Sequence, residues 1–338
     1  MHVPVSPGAC GILAVFDPES PVSGAEVLDA IGCISYRGSN LGAGFSYFED
    51  TDRVTLQAFA SSMRALHRAR GFIPRHWEIE FERALHLRGV SGNTFLWEMS
   101  VVTDDGEAEI ENRVEAINSL LSPEKGEWAR FVGVGRGLHV VKGIGFPSDV
   151  AGSVPGFTSI KSDTWLAHTR QPTNSPGSYP IFSHPFSSVN ISAVHNGDVS
   201  SFGANVNALR NLGYRSFVGT DSEVIVRLLF VLMHRFRMPA EEALQVLAGT
   251  HPLSNEFPGL SLDGPFSVAF SFMEGGMRKI AAVADRSKLR PLLVGTDGGR
   301  VVVASELNQV KRLIGNPEVR RLKGGEVMVA DRHGIRYC

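Results

Sequence analysis

The arrangement of the second half of the chain limits the fold most. Helical patterns at 201–212, 222–237 and 240–248 come as one block, and strand patterns at 266–273, 279–284, 291–295, 300–305 and 326–330 follow as another. A doubly wound parallel sheet needs strand and helix to alternate, because each crossover helix carries the chain back to the start of the next strand. Separate blocks instead predict an α+β protein in which two sheets pack together with helices outside. The first half is compatible with this. Residues 11–16 and 43–48 read as strands flanking a helix at 25–35, 53–59 alternates, and 76–88 and 94–103 look extended. Residues 107–121 predict an amphipathic helix with Ile110, Val114, Ile117 and Leu121 on one side. Two further strands, 164–170 and 189–195, are joined by a loop rich in Pro, Ser and Gly. Residues 60–130 are expected to form an α/β insertion within one domain spanning 10–338.

Composition removes several function classes. Lys and Arg number 33 against 35 Asp and Glu, a net charge of −2, and no long run of one sign favours nucleic acid or an anionic membrane. The longest apolar run, residues 228–233, is far too short to span a bilayer, and residues 1–9 are too short for a secretory signal, so a cytoplasmic protein is expected. Three widely spaced cysteines, Cys10, Cys33 and Cys338, make no disulfide framework. Cys33 is expected in the core and Cys338 at the surface. No Cys-x-x-Cys or His-Glu-x-x-His pattern marks a metal site.

Cys10 opens the segment Cys10-Gly11-Ile12-Leu13-Ala14-Val15-Phe16 after nine residues that read as a leader. As sequence alone this is a small residue starting a buried strand. Cleavage after Ala9 would give it a second character, because thiol and free α-amine would then sit on one residue. An α-amine has a pKa of about 7.7–8.0 and a thiol about 8.5, so the proton passes from sulfur to nitrogen at little cost. Pro4, Pro7 and Gly8 keep the leader non-helical and easy to present for cleavage.

Four further patches accompany Cys10: Tyr36-Arg37-Gly38, His168-Thr169-Arg170-Gln171-Pro172-Thr173, His195-Asn196-Gly197 and Gly219-Thr220-Asp221-Ser222-Glu223. In this order the set resembles the glutaminase domain of class II glutamine amidotransferases, which are N-terminal-nucleophile hydrolases. The resemblance runs over nearly the whole chain. Within that family the amidotransferase subunit of archaeal-type glutamate synthase is the most similar. The motifs behind this choice are Tyr36-Arg37-Gly38-Ser39 with Leu41-Gly42-Ala43-Gly44-Phe45, Thr173-Asn174-Ser175-Pro176-Gly177 leading to His184-Pro185-Phe186, and Val218 through Val224.

The resemblance implies a four-layer αββα sandwich and glutamine hydrolysis through a thioester on Cys10. It implies an oxyanion hole from Asn196 and Gly197, with Arg170 on the carboxylate of glutamine, Asp221 on its ammonium and Thr173 adding a hydrogen bond. These types suit the task, since a guanidinium pairs a carboxylate at two points and a carboxylate accepts from an ammonium. Asp221 also reads as the N-cap of the following helix. Arg37, with Gly38, either supports the loops around the nucleophile or makes a structural ion pair. His168 and His195 are expected to be structural, because an N-terminal nucleophile carries its own base.

No cofactor is expected in this chain. The ammonia acceptor is expected on a separate synthase subunit holding flavin mononucleotide and an iron–sulfur cluster. Two other readings stay open: an amide hydrolase of the same fold with another substrate, which needs neither Arg170 nor Asp221, and a non-catalytic glutamine-sensing subunit whose Cys10 stays blocked by the leader.

Overall fold

The computed structural model describes residues 10–338 apart from Arg88, Thr173 and Asn174. The leader and Thr173 therefore lie outside the described residues. Two antiparallel sheets make the centre. A seven-stranded sheet runs in the order Glu318–Arg321, Leu293–Thr296, Val301–Ala304, Gly11–Phe16, Thr164–Thr169, Ala43–Phe48, Leu138–Gly143. A six-stranded sheet runs Phe186–Ser188, Ile191–Gly197, Phe266–Glu274, Met277–Ala284, Val327–Asp331, Gly334–Tyr337.

The strand Gly11–Phe16 is apolar at every side chain because both of its faces are covered. Ile12, Ala14 and Phe16 meet Val194, Ala269, Ile280 and Ala282 of the facing sheet. Leu13 and Val15 face outward, into a cluster with Val27 and Ile31 of the helix Gly24–Gly32 and Val310 of the helix Leu307–Leu313. Burying each such aliphatic side chain contributes roughly 1.5–3 kcal/mol. On the far side, the helices Phe202–Asn211, Asp221–Phe230 and Ala240–Ala248 pack on Val268, Phe270, Ala281 and Val329. The result is the four-layer αββα sandwich.

Between Ala43–Phe48 and Leu138–Gly143, which are neighbours in the sheet, the chain makes an excursion. It builds a four-stranded sheet in the order Glu78–Leu85, Phe95–Val102, Val54–Ala60, Ala129–Arg136, with the helices Met63–Arg70 and Glu107–Leu120. This sheet begins before residue 60 and ends after residue 130, so the excursion is wider than the sequence suggests. Ile110, Val114 and Ile117 join the same cluster as the helix Asp221–Phe230.

Several boundaries also move. The first helix ends at Gly32, so Cys33 is a half-buried C-cap, its thiol donating to the Ala30 carbonyl, instead of a core residue. The long helix expected at 222–237 is α-helical over Asp221–Phe230 and continues as a π turn over Val231–Arg235. Among the described residues no helix is long and apolar enough to cross a membrane.

Candidate active site

Strand register delivers the first two residues of the site. Gly11 pairs with Thr169, so Cys10 and Arg170 leave the central strands side by side. The facing sheet ends its strand Ile191–Gly197 at the same place, and the helix Asp221–Phe230 begins there. Cys10, Arg170, Gly197 and Asp221, with Ser222 and His184, line one cleft of about 290 Å³.

The Gln171 N–H donates to Cys10 Sγ over 3.3 Å. Burial pushes the Cys10 thiol up, and the Gln171 N–H and the charges of Arg170 and Arg37 offset this only in part. Arg37 Nε donates to the Cys10 carbonyl at 3.3 Å while its Nη1 pairs with Glu306 at 2.8 Å. Arg37 is thus ion-paired and bonded to the Cys10 backbone at the same time. Tyr36 donates its hydroxyl to the same Glu306. Gly38 sits so close to the strand Thr164–Thr169 that a Cβ there would lie 2.0 Å from Thr169 Oγ1.

Gly197 has φ +126°, and a Cβ would fall 1.9 Å from the Pro265 carbonyl oxygen, so glycine is required. Asn196 precedes it, buried; its side-chain amide makes no hydrogen bond among the described residues and does not join the cleft lining.

Arg170 is buried at 3% exposure with no carboxylate partner among the described residues. Its Nη1 donates to the carbonyls of Leu41 and Pro176 at 3.2 and 3.3 Å, and its Nη2 to Ser175 Oγ at 2.6 Å and the carbonyls of Ser175 and Pro176 at 3.2 and 3.3 Å. The guanidinium fork is thus engaged, and a ligand carboxylate must displace part of this carbonyl set to pair with it at two points.

Asp221 does not cap its helix. Thr220 is the N-cap, accepting from the Glu223 N–H at 3.2 Å, and Asp221 is the first helical residue. The Asp221 carboxylate accepts from the N–H groups of Val199 at 3.1 Å and Ser222 at 2.7 Å. It also lies 3.7 Å from His195 Nδ1.

The cleft wall also holds a polar cluster whose grouping the sequence did not predict. Ser222 Oγ sits 2.8 Å from His184 Nε2 and 3.1 Å from His195 Nδ1. His168 Nε2 donates to the His195 carbonyl at 3.0 Å, and its ring lies 4.1 Å from that of His184. No histidine hydrogen-bonds Cys10 among the described residues. Burial lowers all three imidazoles, His168 to about 3. The signals in the sequence were His168 and His195 beside their motifs, the polar triplet Asp221-Ser222-Glu223, and His184 within its motif. Among the described residues, no three His, Cys, Asp or Glu side chains are grouped to hold a metal ion.

Burial of neutral His168 makes a stability prediction. Its folded pKa, about 3, lies below the ordinary 6.5. The unfolded chain therefore binds a proton across that window that the folded chain does not. Stability from this group is complete above the upper value and falls as pH drops toward the lower one, by up to about 1.4 kcal/mol per pH unit. His168→Gln, which keeps a donor for the His195 carbonyl, is expected to shrink the difference between urea midpoints at about pH 4.5 and pH 7. An undiminished difference would assign the acid sensitivity elsewhere.

No protein-family model matches the chain. An uncharacterized protein of Archaeoglobus fulgidus is 27% identical over 369 residues, covering 95% of this chain and 94% of that one. A glutamine–fructose-6-phosphate aminotransferase (isomerizing) of Francisella tularensis is 35% identical over 92 residues, 27% of this chain and 15% of that one. Among solved structures, the glutamine phosphoribosylpyrophosphate amidotransferase of B. subtilis, complexed with ADP and GMP, superposes with a TM-score of 0.55 at 16% identity over 97% of this chain. A second, described as the allosteric regulatory enzyme of purine biosynthesis, gives 0.55 at 18% identity, also over 97%. This chain spans about half the length of those two, 49% and 48%. What is shared with these two structures is the fold.

Proposed function

We propose that this chain is a glutamine-hydrolysing subunit of the class II amidotransferase type, working in the cytoplasm. The observation that carries the reading is the convergence of Cys10, Arg170, Gly197 and Asp221, from four separate stretches of chain, on one cleft. With the Ala9–Cys10 bond hydrolysed, the freed α-amine takes the thiol proton and sulfur attacks the side-chain amide carbon of glutamine. The Gly197 N–H stabilises the tetrahedral oxyanion together with the Asn196 amide, which has to turn toward a cleft it does not line here; a donor of this kind is worth about 2.7–4 kcal/mol. The amine returns its proton to the leaving nitrogen, ammonia departs, and a glutamyl thioester remains. Water, deprotonated by the same amine, then releases glutamate and restores the thiol. Arg170 holds the α-carboxylate and Asp221 the α-ammonium, with Thr173 contributing a hydrogen bond.

The ammonia goes to a separate synthase subunit. The motifs around Tyr36, Thr173 to Phe186 and Val218 support glutamate synthase, with flavin mononucleotide and an iron–sulfur cluster on that subunit converting 2-oxoglutarate to glutamate. Hydrolysis itself calls for no cofactor in this chain.

The test uses a diazo-ketone analogue of glutamine and intact mass. Loss of residues 1–9 with one adduct on Cys10, prevented by glutamine, is expected; an adduct that glutamine does not prevent would overturn the reading. Asp221→Asn is expected to raise KM for glutamine about tenfold or more through loss of a charge-assisted bond, with kcat changed far less. Equal rates on a substrate lacking the α-amine would instead favour a different amide hydrolase.

A further inference from the structure

The excursion between Ala43–Phe48 and Leu138–Gly143 meets the helix Asp221–Phe230, whose first residue lines the cleft, through Arg130 as well as through Glu111 and Glu115. Arg130, on the strand Ala129–Arg136, is buried and pairs with the buried Glu223. Glu223 lies in the first turn of the helix Asp221–Phe230, yet its carboxylate turns away from the helix. Oε2 accepts from Ser216 Oγ at 2.7 Å and from the N–H groups of Val218 at 2.8 Å, Phe217 at 3.0 Å and Gly219 at 3.1 Å. The segment 216–219 is thus wrapped around one carboxylate, and it leads directly into Gly219, Thr220 and Asp221 on the cleft wall.

Arg130 also covers the Phe217 ring at 4.0 Å. Its Nε and Nη1 have no hydrogen-bond partner among the described residues, so its contacts serve Glu223 and Phe217. The second nearby cation, Arg227, is 3.6 Å from Glu223 but is already shared with Glu111 at 3.2 Å and Glu115 at 2.5 Å.

We propose that Arg130 is a positioning residue that sets the affinity of the cleft for the amino-acid head, by fixing Glu223 and through it the segment that carries Asp221. The inference rests on the glutamine reading above and gives the excursion a part in substrate recognition. Removing Arg130 leaves the N–H donors their acceptor but loosens the carboxylate. Asp221 then shifts, while Cys10, held from the other sheet by Arg37 and Gln171, does not.

The test compares Arg130→Met and Arg130→Lys with the processed wild-type chain. Alkylation of Cys10 by the diazo-ketone analogue is followed by mass over a range of concentrations, which separates the half-saturating concentration from the maximal rate. Iodoacetamide, which has no amino-acid head, reports the thiol alone, and hydrogen exchange reports the amides of Phe217, Val218 and Gly219. Arg130→Met is expected to raise the half-saturating concentration about ten- to hundredfold, leaving the maximal rate and the iodoacetamide reaction near wild type. The three amides should exchange faster, and Arg130→Lys should recover part of each loss.

A folded Arg130→Met chain with wild-type half-saturation overturns the proposal, as does a parallel loss with both reagents. Should Arg130→Met not fold, the same criteria apply to Arg130→Lys. Should the wild-type chain prefer the glutamine analogue no more than iodoacetamide, the glutamine reading fails. Exchange then decides the clamp separately: faster exchange upholds it and unchanged exchange overturns it.

Discussion

Cys10→Ala is expected to abolish release of glutamate and ammonia, a loss of about a million-fold, the scale seen when a covalent catalyst loses its nucleophile. The same loss is expected in a chain whose Ala9–Cys10 bond cannot be cut, although its thiol is intact. The structure explains why the two should match. Burial raises the Cys10 thiol, so it rests protonated, and no histidine among the described residues is hydrogen-bonded to it. The three imidazoles nearest the cleft are engaged with Ser222 and one another and are held neutral by burial. On the proposed reading the base is the α-amine, and an amide nitrogen cannot act as one. Paired measurements of intact mass and glutamate release decide the matter. Normal turnover by an uncleaved chain would return a general-base role to the histidines.

The second large effect is on stability. Glu223→Ala should cost about 3–5 kcal/mol, because it strands buried Arg130 and part of Arg227 along with the N–H groups of Phe217, Val218 and Gly219. Burial pushes the Glu223 carboxyl up, and the two arginines and the N–H donors overcome it, holding the group below the ordinary glutamate value. The carboxylate is therefore charged throughout the neutral range. Glu223→Gln, which keeps an acceptor oxygen but not the charge, should lose less. Arg130→Met combined with Glu223→Gln should lose less than the two single changes added together, since each single change leaves a charge without its counterpart. Thermal and urea unfolding of the four chains reads this directly, and strict additivity would deny the pair its coupling.

The packing of two sheets with helices outside was legible because the helix and strand patterns of the second half fall into separate blocks, and the four layers followed from the resemblance. The segments that were not read have local patterns opposing their final state. Ala129–Arg136 contains Gly133 and Gly135, poor strand formers, and a Cβ at Gly133 would lie 2.5 Å from Gln57 Oε1. Leu307–Leu313 is a helix of seven residues, too short to show a period. In the site, Cys10, Arg170, Gly197 and Asp221 could be picked out as motifs because each sits at an element end. Glu223 was hidden by an ambiguity of pattern: Thr220 followed three residues later by a glutamate has the spacing of a capping box. The carboxylate instead serves Ser216 to Gly219, which need an acceptor that only the tertiary fold supplies. Arg130 carries no local signal, and the motif around His184 does not show its bond to Ser222, since the partners of these two are 93 and 38 residues away.

The helix Asp221–Phe230 is buried at every residue after its first, and that first residue lies on the cleft wall. Substitutions that retune what Asp221 meets therefore act on the interior of the molecule too, and most would be removed by selection for folding before any new ligand preference could be tried. The surface next to Arg170, outside the cleft lining, is differently placed. Leu41, whose carbonyl meets Arg170, and Tyr179, just beyond the 175–176 segment, are exposed and owe the core little. Lineages of this chain should diverge along that rim and hold the wall at Asp221 nearly fixed.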